Sequence, residues 1–209
     1  MKKVIYSLLV CFTVNAMVSC KSEAKKETPI KEEVKVENKA AFSLTEADNQ
    51  INWTAYKTTE KAPVKGQFKK VNITAGGEGD TAKEAINNAE FSIPISSIFT
   101  KDTSRDFKIK KFFFGIMDKT ELLSGKLVIE NDSLGYANLT MNGITNKLPF
   151  KYTINGKVFN FSGEMKISDW GADKALASLN EACKDLHKGA DGVSKTWDDV
   201  AINITSTFK

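Results

Sequence analysis

The chain has 209 residues, of which 41% are hydrophobic and 27% are charged, and its formal net charge is +4. A small positive charge that is spread along the chain does not indicate a nucleic-acid-binding protein, so nucleic acid is not an expected partner. The single histidine, His187, excludes a histidine pair for metal binding or proton relay. We therefore expect neither a metal site nor catalysis.

The first nineteen residues have the pattern of an export signal. Two lysines precede an apolar run, Val4 to Val14, that is too short to span a bilayer. The run leads into Met17-Val18-Ser19-Cys20, which is similar to the lipobox of bacterial lipoproteins, except that Met stands where Leu is usual. We predict a signal peptide over residues 1–19 and lipidation of Cys20. The alternative is a plain secretory signal with an incidental cysteine.

Residues 20–40 are predicted to be the lipidated cysteine followed by a disordered linker. Lys21 to Ala40 is a mixed-charge run with almost no bulky apolar side chains, so it cannot bury enough surface to fold. Such a linker reaches about 25 Å by square-root scaling. Each buried acyl methylene contributes roughly 0.8 kcal/mol, so two or three chains would anchor the protein firmly. The expected location is the bacterial cell envelope, with the outer membrane favoured and its side left open.

Alternating apolar and polar residues predict several strands in the first half of the folded domain, residues 41–209. The strand centres are Phe42–Leu44, Ile51–Ala55, Val64–Phe68, Ala89–Ile95 and Leu123–Ile129. The glycine-rich stretch 75–79 and the polar run to Lys83 are predicted to be a loop. Thr103 to Gly115 is basic and then aromatic, and is expected to form a short helix or an irregular crossover.

The stretch from Leu134 to Trp170 predicts an antiparallel meander of three strands. Apolar residues alternate with polar ones throughout, and the stretch is divided at Asn142-Gly143 and Asn155-Gly156. Asn-Gly is the favoured two-residue hairpin turn because both central residues take positive φ. One face of this sheet is therefore apolar and must be covered.

After the meander, the sequence predicts one amphipathic helix and a last strand. Over Ala172 to His187, a single helix face collects Leu176, Leu179, Cys183 and Leu186, and this face should pack on the sheet as a lid or plug. Val200, Ile202 and Ile204 then alternate in the last strand. Cys183 and His187 could form a thiolate–imidazole pair or half of a metal site, although a packed cysteine and a helix-end histidine are the simpler interpretation.

The predicted fold is all-β, an eight-stranded antiparallel barrel, since about eight strands allow a sheet to close and lose its edges. The strand pattern yields eight strands, or nine with Phe42–Leu44. The inward apolar positions, together with Phe113 of the aromatic run, are the candidate ligand-binding residues: Trp53, Phe68, Phe91, Ile93, Phe113, Leu127, Leu139, Phe150, Phe161 and Ile167. Gly66, Gly125 and Gly163 also fall at inward positions, where they could leave room or mark bulges.

A resemblance covers essentially all of residues 42–209. It rests on the order of several short pieces, which are Ile51-Asn-Trp53, Val64-Lys-Gly66-Gln-Phe68, Phe91-Ser-Ile93-Pro94, Arg105-Asp106 before Phe112-Phe113, Leu139-Thr-Met141-Asn-Gly143-Ile-Thr145 and Ser168-Asp169-Trp170-Gly171. In these pieces the chain resembles the YceI-like family, the polyisoprenoid-binding, lipocalin-like proteins of bacterial envelopes, in its lipoprotein-anchored branch. It departs from the family in lacking the histidine that many relatives carry before Gly-x-Phe. The arginine usual before Ser-Asp-aromatic-Gly is also replaced.

The resemblance implies a lipocalin-like barrel whose elongated cavity holds an amphiphile with an isoprenoid tail, polyisoprenoid or quinone-like. We therefore expect a non-catalytic lipid carrier without a cofactor, whose partners are the lipid and a membrane. The headgroup is expected near Lys108, Lys110 and Lys111, with Phe112–Phe114 and the helix at the entrance. The alternative is a ligand-free structural lipoprotein with a solidly packed barrel. The sequence leaves the oligomeric state open.

Overall fold

The computed structural model describes residues 39–209, so the predicted signal peptide, Cys20 and nearly all of the predicted linker lie outside the described residues. The strands are β1 Phe42–Ser43, β2 Asp48–Lys57, β3 Ala62–Phe68, β4 Asn72–Ala75, β5 Glu78–Gly79, β6 Glu90–Pro94, β7 Ile98–Phe99, β8 Leu122–Ile129, β9 Leu134–Met141, β10 Ile144–Asn155, β11 Val158–Lys166 and β12 Thr196–Thr207. The helices are α1 Ala82–Ile86, α2 Thr103–Phe112 and α3 Asp173–Ala182. Short 3-10 helices lie at Ile95–Ser97, Phe114–Ile116, Ile167–Trp170 and Lys184–His187.

Ten strands form one antiparallel sheet in the order β4-β6-β8-β9-β10-β11-β12-β2-β3-β7. Strand β7 follows β6 after only the 3-10 turn Ile95–Ser97, yet it pairs with β3 at the far edge of the sheet. The sheet therefore curls, because one short turn connects β6, next to one edge, with β7 at the other edge. Within residues 39–209 the edge strands β4 and β7 do not pair with each other, so the sheet is a curled half-barrel around an apolar interior. Strands β1 and β5 pair separately.

The prediction of an antiparallel β fold is confirmed as a mostly β fold, but the closed barrel of eight strands is not: the sheet has ten strands and is a curled half-barrel. The eight strands of the prediction are β2, β3, β6 and β8 to β12, and β4 and β7 complete the sheet. Strand β4 has four residues and lies beside the glycine-rich stretch, and β7 has only two. Strands of this length are too short for an alternating pattern to identify. The Phe42 strand pairs with β5 outside the main sheet.

The meander β9–β10–β11 forms as predicted, with one difference in its turns. Met141 pairs with Ile144, so Asn142 and Gly143 form the first turn, with φ of 53° and 70°. In the second hairpin, Asn155 itself pairs with Val158. The turn is therefore Gly156-Lys157 rather than Asn155-Gly156, and positive φ is needed only at Gly156.

The helices differ from the prediction in number and length. Helix α1 lies where a loop was expected, and it begins with a capping box in which Thr81 and Glu84 satisfy each other's backbone N–H groups. Of the two alternatives for Thr103 to Gly115, a short helix or an irregular crossover, the structure has the helix, α2, which is capped by Asp102. Helix α3 ends at Ala182, five residues early, and a 3-10 turn then carries Leu186 into solvent, where it is 57% exposed. Its placement on the packed face was wrong.

None of the helices among residues 39–209 is long and apolar enough to cross a membrane.

Candidate ligand-binding site

An apolar cavity of about 200 Å³ lies inside the curled sheet. Roughly 10–15 Å³ accommodates one water molecule, so this space is more than ten times larger. The side chains that line it are apolar except for Asn49, Thr196 and Ser206. Apolar cavities of this kind stay dry and take up apolar ligands.

Nine of the ten predicted ligand-binding residues line this cavity. They are Trp53, Phe68, Phe91, Ile93, Phe113, Leu127, Leu139, Phe161 and Ile167. Phe150 does not, because its ring packs against Phe161 with centroids 4.2 Å apart and also covers Gly135. The alternation of β10 correctly placed Phe150 inside the sheet, but this side chain belongs to a packed aromatic cluster with Tyr152 and Phe159. The role of the nine residues in binding stays a prediction.

The three inward glycines do not create open space, nor do they sit at irregular pairings. A Cβ atom on Gly66 would lie 2.1 Å from the ring of Trp53, and one on Gly125 would lie 2.8 Å from the ring of Phe91. Each of these rings belongs to the cross-strand partner of the glycine. Gly163 is similarly limited by the Phe161 ring at 3.2 Å and by a backbone carbonyl at 2.9 Å. The glycines therefore make room for aromatic rings that line the cavity.

One end of the cavity is closed by the chain termini of the folded domain. Ser206 donates a hydrogen bond of 2.6 Å to the Asn49 side-chain carbonyl, and Asn49 donates to the backbone carbonyl of Leu44 at 2.8 Å. Beside them, Phe42 and Phe208 stack edge to face with ring centroids 5.2 Å apart. The two polar side chains at this end therefore satisfy each other, and they leave the cavity wall apolar.

The other end is covered by α2, the following 3-10 helix and α3. Ile109 of α2 and Leu176 and Leu179 of α3 line the cavity from above. Phe113 and Phe114 join them and stack edge to face, with centroids 4.9 Å apart. The sequence predicted both helical segments at the entrance, and the structure brings their apolar faces together there.

Between these helices and strands β2 and β3 lies a second compartment of about 200 Å³, which we call the vestibule. It shares five lining residues with the apolar cavity, so the two are adjacent: Trp53, Ala55, Ile109, Leu179 and Thr196. In contrast to the cavity, its wall carries charged side chains, which are Lys57, Asp102, Arg105 and Lys108. The site thus combines an apolar cavity with a cationic vestibule.

Of the three lysines expected at the headgroup, only Lys108 lines the vestibule. The ammonium group of Lys110 donates to the backbone carbonyl of Ser96 at 3.0 Å. Lys111 lies over the rings of Phe107 and Phe112, at 5.5 and 5.2 Å from their centroids. Lys110 points elsewhere because it lies two residues, or about 200° of helix turn, after Lys108. Lys111 lies three residues after Lys108 and so shares its side of α2, but its ammonium group is directed to the two phenylalanine rings.

Cys183 and His187 both line the vestibule, but neither is charged at neutral pH. Burial lowers the pKa of His187 to about 4, with further lowering from the charges of Lys57 and Lys108. Burial also raises the pKa of Cys183. The His187 ring instead shares a 2.7 Å hydrogen bond, through Nδ1, with the hydroxyl of Thr196. A thiolate–imidazolium pair therefore does not form here at neutral pH.

Three aspartates that precede and begin the last strand each have a structural partner. Asp191 accepts from the backbone N–H of Val193 at 2.9 Å, and Asp199 pairs with Lys61. Asp198 accepts from both the backbone N–H and the hydroxyl of Ser168, at 2.8 and 2.7 Å. Within residues 39–209, no three potential ligands from His, Cys, Asp and Glu come together to hold a metal ion.

Sequence reasoning missed two cationic residues of the vestibule, although signals for both were present. Lys57 is the next inward position after Ile51, Trp53 and Ala55 in the alternation of β2. Arg105 is three residues before Lys108, so the two share a side of α2. Both signals depend on knowing that these elements meet at one end of the sheet.

Comparisons with known proteins show which family has this architecture. The YceI-like domain model matches residues 42–208. A polyisoprenoid binding domain from Saccharophagus degradans superposes with a TM-score of 0.57 at 12% identity, over 81% of this chain and 98% of its own. BcnA from Burkholderia cenocepacia gives 0.51 at 17% identity, over 79% and 98%. A mutant Campylobacter jejuni YceI protein with a monobromobimane guest gives 0.50 at 20% identity, over 70% and 85%. No curated protein matches the chain. At these identities the structural likeness concerns the fold alone, and the match over residues 42–208 shows that the chain belongs to the YceI-like domain family.

Proposed function

We propose that this protein is an envelope lipoprotein that binds or carries, without catalysis, an amphiphilic lipid with an isoprenoid tail, polyisoprenoid or quinone-like. The observation that carries the proposal is the apolar cavity inside the sheet, which adjoins a polar vestibule at one end. An amphiphile has the same two-part chemistry. The fold shared with a domain described as polyisoprenoid-binding supports an isoprenoid as the tail.

Burial of the chain would supply the affinity, at about 25 cal/mol per Å² less the cost of ordering the ligand. An unfilled cavity in a protein core lowers stability, and a bound ligand would offset that loss. In this proposal the ligand enters through the vestibule, and Phe113, Phe114 and α3 move aside to admit it.

The membrane part of the proposal rests on the sequence before residue 39. Acyl chains on Cys20 would anchor the protein, and a linker with a reach of about 25 Å would keep the vestibule close to the bilayer. We expect Cys20→Ser to abolish incorporation of labelled palmitate and to move the protein from the membrane fraction to the soluble fraction. Cys11→Ser, which alters only the predicted signal peptide, is the matched control. Membrane association of the Cys20→Ser variant would overturn the anchoring proposal.

To test the carrier function, the protein purified from its native envelope would be extracted and its lipids identified by mass spectrometry. Ala55→Phe provides the blocked variant, because Ala55 lines both the cavity and the vestibule. Thr54→Phe is the control, because adjacent side chains of a strand point to opposite faces. We expect a lipid with the wild type and Thr54→Phe, and none with Ala55→Phe. Absence of any bound lipid from the wild type, together with no binding of added isoprenoids, would contradict the proposal.

A second candidate function is a ligand-free structural lipoprotein. It is favoured by the aromatic rings over Gly66, Gly125 and Gly163 and by the packed rings around Phe150, which fill part of the interior. The Ala55→Phe variant separates the two candidates. In a structural protein it would change neither the lipid content nor the role of the protein in the envelope.

A further inference from the structure

The cationic side chains of the vestibule lack enough carboxylate partners. Among residues 39–209, neither Lys57 nor Lys108 forms an ion pair, and both are half-buried. Arg105 lies 3.5 Å from Asp102, which is the single carboxylate lining the vestibule. The same Asp102 accepts the backbone N–H of Arg105 as the cap of α2. Two positive charges therefore remain without a counter-charge.

Nothing else on the vestibule wall offsets these charges. Cys183 and His187 are neutral at pH 7, because burial raises the pKa of Cys183 and lowers the pKa of His187; the positive charges of Lys57 and Lys108 lower the pKa of both groups. Lys57 donates only to a neutral acceptor, the backbone carbonyl of Leu186, at 2.9 Å. Charges in a partly enclosed space are screened less than charges on an open surface. An anion in this space would therefore be attracted strongly.

The boundary between the vestibule and the cavity also lacks a hydrogen-bond acceptor. The ring of Trp53 lines both compartments and is 7% exposed, and its indole N–H has no partner within residues 39–209. A buried donor without an acceptor destabilises a protein, so most such groups are paired. The indole of Trp170, by contrast, donates to the carbonyl of Leu139 at 2.8 Å. A ligand oxygen that reached this N–H would supply the acceptor that Trp53 lacks.

We propose that the vestibule is an anion site, and that the ligand is an acidic amphiphile whose phosphate or carboxylate headgroup lies between Lys57, Lys108 and Arg105. This inference rests on the proposed function and narrows it from amphiphiles in general to those with an anionic head. The apolar chain continues past Trp53 into the cavity. Phosphate and carboxylate share the recognising chemistry, which is charge-assisted hydrogen bonding to ammonium and guanidinium groups.

The test compares ligands with the same chain and different heads. Geranylgeranyl phosphate and geranylgeraniol form one pair, and palmitate and hexadecanol form the other. Each would be titrated calorimetrically into the full-length protein in detergent, at low and at moderate salt. We expect at least one anion to bind ten-fold or more tightly than its alcohol at low salt, and the ratio to shrink as salt is added. Comparison of the two pairs identifies the preferred head.

The variant Lys57→Gln/Lys108→Gln removes the two unpaired charges. We expect its affinity for the anion to fall to that for the alcohol, while its affinity for the alcohol stays unchanged. Lys151→Gln/Lys166→Gln removes the same charge from exposed positions on the meander and should leave the ratio unchanged. Trp53→Phe, which keeps an aromatic ring and removes the donor, should weaken binding of the anion several-fold.

The outcomes separate this inference from the function on which it rests. If an anion and its alcohol bind wild-type protein with equal affinity, the headgroup inference is overturned and the carrier function stands. The same holds if Lys57→Gln/Lys108→Gln and the exposed double variant lose affinity equally. If none of the four ligands binds, the carrier function itself is contradicted.

Discussion

The meander β9–β11 and the helical end formed by α2 and α3 enclose the same cavity, but they are built in opposite ways. In the meander, inward aromatic side chains pack against one another, as where Phe150 stacks on Phe161 and covers Gly135. Around the vestibule, Lys57, Lys108 and His187 are only half-buried. Helix α2 has no fully buried residue at all. We infer that the first region supplies rigidity, and we expect the second to supply access.

The difference shows how a sheet can hold a cavity without collapsing. The meander is continuous in sequence, its turns are tight, and its register is fixed by pairing along the whole length of three strands. The helical end is assembled from α2 and α3, which are separated by about 60 residues of sequence and contact each other. Local opening costs least where few apolar groups are buried. We therefore expect motions that admit a ligand at the helical end.

We expect the largest loss of stability when a packed ring is removed from the meander. Phe150 is 3% exposed and does not line the cavity, so Phe150→Ala would leave a new void. We expect a loss of about 3–5 kcal/mol in the free energy of unfolding, measured by urea denaturation. Leu179→Ala, at the helical end, enlarges a space that already exists and should cost about 2 kcal/mol or less. Equal losses would show that the two regions are packed alike.

Glycine substitutions compare the packing of the two regions through a smaller loss of stability. A Cβ on Gly135 would meet the backbone carbonyl of Val128 at 2.5 Å and the Phe150 ring at 2.6 Å, and neither can easily move. We expect Gly135→Ala to cost about 1–3 kcal/mol by overpacking. On Gly66 the nearest atoms belong to the Trp53 ring, which borders the cavity and has space to turn into. Gly66→Ala should therefore cost less, in the same denaturation experiment.

Much of the packed region could be predicted from the sequence because its information is local. A period of two places Leu139, Phe150 and Phe161 on the inner face of the sheet, regardless of which strands pair with each other. Asn142-Gly143 fixes the first hairpin. The second turn was misplaced by one residue, but the information that fixes it is also local, because Gly156 alone supplies the positive φ that the turn needs. Alternation does not distinguish a packed interior residue from one that borders a cavity. For that reason Phe150 was included among the ligand-binding residues.

The vestibule could not be predicted in the same way, because its residues are distant in sequence. Lys57 belongs to β2, Lys108 to α2 and His187 to the turn after α3, and no spacing pattern connects them. The helix spacing that joined Leu186 to Leu176 and Leu179 assumed a regular helix, and α3 ends before that residue. The charge of a vestibule depends on which carboxylates reach it. That is a property of the tertiary structure.

Acidification should loosen the helical end before it affects the meander. His187 has a pKa of about 4 in the folded state, against an ordinary value of 6.5, so the unfolded chain takes up the proton first as the pH falls. Stability is then unaffected above about pH 6.5 and is lost between 6.5 and 4. Allowing for solvent screening of the half-exposed ring, we expect a loss of about 1 kcal/mol between pH 7 and 5.

His187 is the only histidine, so this pH window isolates it from the carboxylates, which titrate at lower pH. In His187→Gln the unfolding free energy should be the same at pH 7 and pH 5. Hydrogen exchange should show the acid-induced opening in α3 and the turn after it, with β10 and β11 still protected. A pH-dependent variant, or early exchange in the meander, would contradict the assignment.

The smallest expected change in stability tests whether the vestibule serves binding rather than folding. Asp102→Asn removes the one carboxylate that opposes the cations of the vestibule, while asparagine caps a helix about as well as aspartate does. The ion pair with Arg105 is largely exposed and screened by solvent, so its loss should leave the unfolding free energy nearly unchanged. The affinity for the preferred anionic amphiphile should nevertheless rise several-fold, because a repulsive charge has gone. The affinity for the alcohol with the same apolar chain should be unchanged. A fall in anion affinity would mean that Asp102 orients Arg105 for the headgroup, whereas a clear loss of stability would mean that the charges at this end hold α2 in place.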